Sequence, residues 1–112
     1  MAKIIVLMGA PGAGKGTQAR LLQERLGLPQ ISTGDMFRAL KEAKTPLAEE
    51  VRAIMQAGNL VPDDVTLRVV RERTGQEDSR NGYILDGFPR NPAQAAMLEK
   101  LAAEQGKAIQ AV

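Results

Sequence analysis

Four glycines and a proline surround one lysine in "GAPGAGKGT", the stretch from Gly9 to Thr17. Glycines let successive backbone N–H groups turn inward around an anion, and a helix that follows adds the positive end of its dipole. The spacing from Gly9 is G-x-x-x-x-G-K, and it stands between an apolar run, "KIIVLM", and a helical pattern, the context that gives a phosphate-loop match its weight. The loop residues Gly12, Ala13, Gly14, Lys15, Gly16 and Thr17 are thus candidates for holding a polyphosphate, with Lys15 reaching its outer groups; the bland alternative is a loose turn carrying a surface lysine. Position 16 is Gly where the general motif has the Ser or Thr that ligates magnesium, and Thr17 comes one residue late. Asp86, at the end of a later apolar run, is the candidate to hold magnesium instead, through its waters. If such a loop served phosphoryl transfer to a second anionic substrate, a second cationic site would be needed to offset their repulsion. Arg38 and Arg90 are the candidates for it, although Arg38 reads equally well as a solvated helix residue.

These groups need elements to position them. "KIIVLM" is β-branched and apolar on both faces, as in a buried parallel strand. "TQARLLQERLG" then sets Ala19, Leu22 and Leu26 on one helical stripe that Gly27 stops. "LPQIS" is a short second strand, and Tyr83 to Asp86 within "GYILDGFP" a third. Between them lie three helical stretches: "GDMFRALKEAK"; "PLAEEVRAIMQAG", with Leu47, Val51, Ile54 and Met55 on one side; and "PDDVTLRVVRERTG", with acids in its first turn. "NPAQAAMLEKLAAEQG" has Asn91 as cap, Pro92 at the first position, Gln94 at the third and Gly106 past the end. "KAIQAV" opens a fourth strand at which the sequence stops, so more protein is expected to follow it. The alternation predicts an α/β fold of the P-loop NTPase type: three layers around a parallel sheet.

Composition narrows the chemistry further. The 112 residues include no Cys and no His, which removes disulfides, thiolate or imidazole metal sites and imidazole acid/base catalysis, and which suits a cytoplasmic location. The five apolar residues between Lys3 and Gly9 are too few for a signal-peptide core or a membrane span. A net charge of +2, one Tyr, two Phe and no Trp offer no stacking platform for nucleic acid. The basic groups are therefore assigned to phosphates of small ligands, with neither nucleic acid nor membrane as partner.

"GAPGAGKGT" with "STGDMFR" and "DGFPR", in that order and spacing, resembles the nucleoside monophosphate kinases, and among them the adenylate kinase family. The resemblance runs from the first residues to the last. It implies reversible transfer of a phosphoryl group from ATP to AMP, giving two ADP, with Mg²⁺. By the same resemblance Lys15, Arg90 and Asp86 are catalytic, and Arg38 and Arg90 bind the α-phosphate of AMP. Thr33 and Gln94 contact its adenine, Met55, Leu60 and Val61 line the pocket, Gly87 permits close approach, and Asp86, assisted by Asp35, holds the metal through water.

Each role has a plainer rival: Thr33 as a helix cap, Gln94 completing a capping box with Asn91, Met55 and Leu60 as core, Asp35 as a first-turn acid. Pro89 after Phe88 is a candidate cis peptide. The expected organisation is a core of residues 1–31 and 62–112 with a helical acceptor-binding insert at 32–61. Family members continue with an arginine-bearing lid and a C-terminal segment, and the full member is expected to be a monomer. Three alternatives follow: a weakly active or inactive nucleotide-binding fragment, a kinase for CMP or UMP, and self-association through an unpaired sheet edge.

Overall fold

The computed structural model describes residues 2–7 and 15–111, with Lys15 and Gly16 as backbone only. The polyphosphate candidates Gly12, Ala13 and Gly14, and the side chain of Lys15, therefore lie outside the described residues.

Four strands, β1 (Lys3–Val6), β2 (Gln30–Ser32), β3 (Gly82–Asp86) and β4 (Ala108–Ala111), form one sheet in the order β2-β3-β1-β4. Every described pairing is parallel, with Ile5 opposite Ile84, Ile4 opposite Ile109, and Ser32 opposite Asp86. Successive strand side chains point to opposite faces, and β1 and β3 bury both. Ile4, Val6, Tyr83 and Leu85 join one apolar cluster, while Ile5, Leu7 and Ile84 join another. This is the both-faces-covered condition that the unbroken apolar runs predict.

Helix α1 (Lys15–Leu26) covers the second face through Ala19, Leu22 and the following Leu28. Leu26, expected on the same stripe, is 51 % exposed: it is the last residue of α1, where Gly27 at φ 67° turns the chain away toward β2. The first face is covered by α4 (Asp63–Thr74) and α5 (Pro92–Gln105), through Val65, Val69, Val70, Leu98 and Leu101. Helices α2 (Thr33–Leu40) and α3 (Pro46–Gln56) send Met36, Leu47 and Val51 into that same cluster. The fold is thus the expected three-layer α/β arrangement.

Local chemistry sets the helix ends. Ser32, not Thr33, caps α2 by accepting from the Asp35 N–H, because Thr33 already lies inside the helix. Thr45 caps α3 ahead of Pro46 in the same way. Asn91 caps α5, which ends at Gly106 in the left-handed conformation that glycine adopts at little cost. The far end of α2 is closed by a residue of another helix: Arg52 of α3 donates to the carbonyls of Leu40 and Ala43, both at 2.6 Å. Among the described residues no helix is long and apolar enough to cross a membrane.

Candidate functional site

In an open parallel sheet, ligands sit beyond the carboxyl ends of the strands. Here β3 ends in Asp86 and passes into "GFPR", whose path is set residue by residue. Gly87 has φ 85°, and a Cβ on it would lie 2.7 Å from Thr33 Oγ1 and 3.4 Å from an Arg90 terminal nitrogen. Only glycine lets the start of α2 and the Arg90 side chain approach the same backbone point. Phe88 is buried and anchors the turn, and the Phe88–Pro89 peptide is cis.

Arg90 is exposed, and its Nε donates to the Gly87 carbonyl at 2.8 Å. That contact engages Nε, and the two terminal nitrogens make up the fork suited to a phosphate. Gln94, 8 % exposed, accepts the Arg90 backbone N–H on Oε1 at 2.7 Å and donates from Nε2 to Asp63 Oδ1 at 2.9 Å. Its own backbone N–H goes to the Asn91 side chain at 2.8 Å, so half of the expected capping box is present. The other half is corrected: the Gln94 side chain satisfies Arg90 rather than Asn91. Thr33, Gly87, Arg90, Gln94 and Asp63 therefore form one connected cluster. Asp63 carries no sequence signal for this beyond being a first-turn acid, and the 31 residues separating it from Gln94 hide the contact.

Arg38 stands at a second point, one turn into α2, and its guanidinium hydrogen-bonds the exposed Asp35 carboxylate. That bond, with the Ser32 hydroxyl, holds the Asp35 carboxyl below its ordinary range. The Arg38 guanidinium also folds over Gly34, whose added Cβ would meet it at 3.3 Å. Both sides of the pair are open to solvent, so an incoming anion competes with a weak contact. Met55 and Leu60 are not core: they are 45 % and 93 % exposed, at the end of α3 and in the segment leading to α4, where no sheet covers them. Val61 beside them is partly buried against the main cluster. Thr17 is exposed in the first turn of α1.

Asp86 is half-buried at the carboxyl end of β3, between β1 and β2. Among the described residues no group of three or more His, Cys, Asp or Glu side chains gathers to cage a metal. One strand-end carboxylate fits an ion that keeps most of its waters and takes one or two carboxylates together with substrate phosphates, which is the habit of magnesium. An apolar cavity of about 250 Å³ between α2, α3 and the end of α4, lined by Met36, Leu40, Leu47 and Val69, lies apart from these groups.

A family model described as adenylate kinase matches residues 7–112. The chain is 58 % identical over 100 residues to an adenylate kinase of Thermodesulfovibrio yellowstonii, an alignment covering 89 % of this chain and 46 % of that protein. It is 53 % identical over 105 residues to one of Bacillus subtilis, covering 94 % and 48 %, and 53 % identical over 108 residues to one of Nocardia farcinica, covering 96 % and 60 %. The chain thus spans about half the length of the curated relatives it matches.

Proposed function

The chain belongs to the adenylate kinase family, and from that premise we propose that it carries the donor-phosphate loop and the acceptor site of a Mg²⁺-dependent enzyme that interconverts ATP plus AMP with two ADP. The observation that carries this reading is the cluster at the end of β3, where Gly87 brings Thr33 and Arg90 together and Gln94 is pinned behind them.

In this reading residues 32–61 form the acceptor-binding insert and residues 1–31 and 62–112 the core. The loop amides from Gly12 to Thr17 and Lys15 hold the donor phosphates. Arg38 exchanges Asp35 for the AMP α-phosphate, which Arg90 grips from the other side, while Thr33 and Gln94 face the adenine and Met55, Leu60 and Val61 cover it. An α-phosphate oxygen of AMP attacks the γ-phosphorus of ATP as the bond to the β–γ bridging oxygen breaks, so no covalent enzyme intermediate forms. The residues contribute position and charge. Asp86 is the residue that would hold Mg²⁺ through its waters, with Asp35 the second candidate once Arg38 leaves it; when bound, the ion neutralises charge on the phosphates. The insert swings about the segments near Gly34 and Pro62 as AMP binds. The proposed setting is cytoplasmic and the full-length protein a monomer.

The half-length match favours one second reading, a nucleotide-binding chain with little or no turnover. The test is ADP formation with Mg²⁺ and ATP plus AMP, CMP, UMP or GMP in separate reactions, Lys15→Ala serving as control, beside calorimetric titration with each monophosphate. Turnover with AMP that the control abolishes establishes the kinase. AMP binding without turnover leaves the second reading, and preference for CMP or UMP overturns the assignment of the acceptor.

A further inference from the structure

We propose that Asp63 is a positioning residue that helps set which purine the acceptor site takes: together with the Arg90 backbone N–H it fixes which way round the Gln94 amide lies, admitting a 6-aminopurine monophosphate and disfavouring a 6-oxopurine one. This rests on the reading of Gln94 as the contact to the acceptor base.

A primary amide is nearly symmetric in shape and opposite in chemistry at its two ends, the oxygen accepting and the nitrogen donating. Its sense is fixed only by neighbours that can act one way. Gln94 has one such neighbour at each end. The backbone N–H of Arg90 can only donate, so the atom 2.7 Å from it is the oxygen. The ionised carboxylate of Asp63 can only accept, so the atom 2.9 Å from its Oδ1 is the nitrogen. Reversing the amide would set N–H against N–H and oxygen against carboxylate, two repulsive contacts at a residue that is largely shielded from water.

With one lone pair and one N–H committed, the amide keeps one acceptor and one donor in a fixed order. That order complements adenine, which presents an amino donor beside a ring-nitrogen acceptor. In the same pose, on the edge carrying N1, a 6-oxopurine would place its carbonyl oxygen against Oε1; matching it requires the reversed amide, which Asp63 and the Arg90 N–H oppose together. Asp63 also sits in the first turn of α4, where an acid is stabilising for its charge alone. Asp64, its exposed neighbour in that turn, carries the same charge and separates the two roles.

The test is calorimetric binding of AMP and IMP, which differ at the six-position, to the unaltered chain and to Asp63→Asn, Asp63→Ala, Asp64→Asn and Gln94→Ala. The unaltered chain should prefer AMP by about tenfold or more, a bidentate base contact being good for roughly 5- to 150-fold discrimination. Both Asp63 variants, in which only the Arg90 N–H still orients the amide, should lower that ratio about threefold or more, Gln94→Ala should abolish it, and Asp64→Asn should keep it. Asp63→Asn is isosteric and faces Gln94 with either a donor or an acceptor, so it carries the test if the alanine variant does not fold. Selectivity retained in Asp63→Asn, or absent from the unaltered chain, overturns the inference while leaving the acceptor site in place. No binding of either nucleotide by the unaltered chain would remove the acceptor-site reading and this inference with it.

Discussion

Helix α5 carries a glutamine near each end, and both reach across to α4 over the same 31-residue separation. Gln94 meets Asp63 at the start of α4, and Gln105 meets Thr74 at its last residue, each donating from Nε2 at 2.9 Å. Beyond that the two ends diverge. Gln105 accepts from the Tyr83 hydroxyl at 2.7 Å, and the Thr74 hydroxyl passes its own hydrogen to the Val70 carbonyl at 2.8 Å. Its partners are hydroxyls, able to donate or accept, on two of the most buried residues of the fold. Gln94 is held instead between a strict donor and a strict acceptor, and the backbone it binds belongs to an exposed arginine. One end knits two helices to the sheet; the other aims an amide. In the proposed reading the same residue type at the same separation serves packing at one end and recognition of the acceptor base at the other, according to what its partners can do.

Arg90→Ala should weaken AMP binding by about 100-fold, the loss of two charge-assisted contacts to phosphate. ATP binding should change by less than about threefold, and unfolding free energy by under about 0.5 kcal/mol, since the removed atoms are exposed. Titration with each nucleotide and urea denaturation read the three quantities; equal weakening of both nucleotides would make Arg90 a general electrostatic residue. At the opposite end the pattern should invert. Gln105→Ala leaves the Tyr83 hydroxyl buried without its acceptor and should cost about 2 kcal/mol of stability while AMP affinity stays within about twofold.

How far the sequence foretells these two ends differs as well. The strands β1 to β4 and helices α1 to α5 of the described residues are legible because their signals are local: β-branched runs on both faces, Asn91 and Pro92 opening α5, Gly27 and Gly106 closing their helices. Arg90, Thr33 and Gly87 stand out as candidates through "STGD" and "GFPR", and Gln94 as the capping position after Asn91; the structure joins all four in one cluster. The partners of the two glutamines are not legible, because Asp63 and Thr74 each sit 31 residues from the glutamine they hold. Local pattern also misplaces Leu26 and suggests Met55 and Leu60 as core, since periodicity shows which face a residue takes but not whether anything covers that face. The capping-box spacing Asn91 to Gln94 is present, yet tertiary contact draws the Gln94 side chain elsewhere.

A sharper contrast comes from Gln94→Ala. It should weaken AMP about tenfold, the value of one good base contact. It should also cost about 1 kcal/mol of stability, because the N–H of the exposed Arg90 loses its acceptor and water can enter the space that the removed side chain leaves. The stability cost should thus fall below that of Gln105→Ala although both lose the same side chain. If the two costs prove equal, the buried and the open end are not energetically distinct.

The smallest effect tests the closed end through pH. Burial pushes the Tyr83 phenol up to about 12 from its ordinary 10.0, its bonds to Thr74 and Gln105 pulling the other way. An unfolded chain releases this proton near pH 10 and the folded one holds it to about 12, so across that window the unfolded state binds fewer protons. The contribution from Tyr83 is therefore fully present below pH 10 and is lost as pH rises toward 12. Tyr83→Phe removes the titrating group and the hydrogen bond together, so at neutral pH it should be about 1 kcal/mol less stable than the unaltered chain. Because Lys and Tyr side chains share that alkaline range, the informative quantity is the difference between the two proteins in parallel urea titrations. That difference should stay constant below pH 10 and shrink between 10 and 12. A constant gap through the whole range would mean that the hydroxyl reaches water and that this end of the sheet is as open as the other.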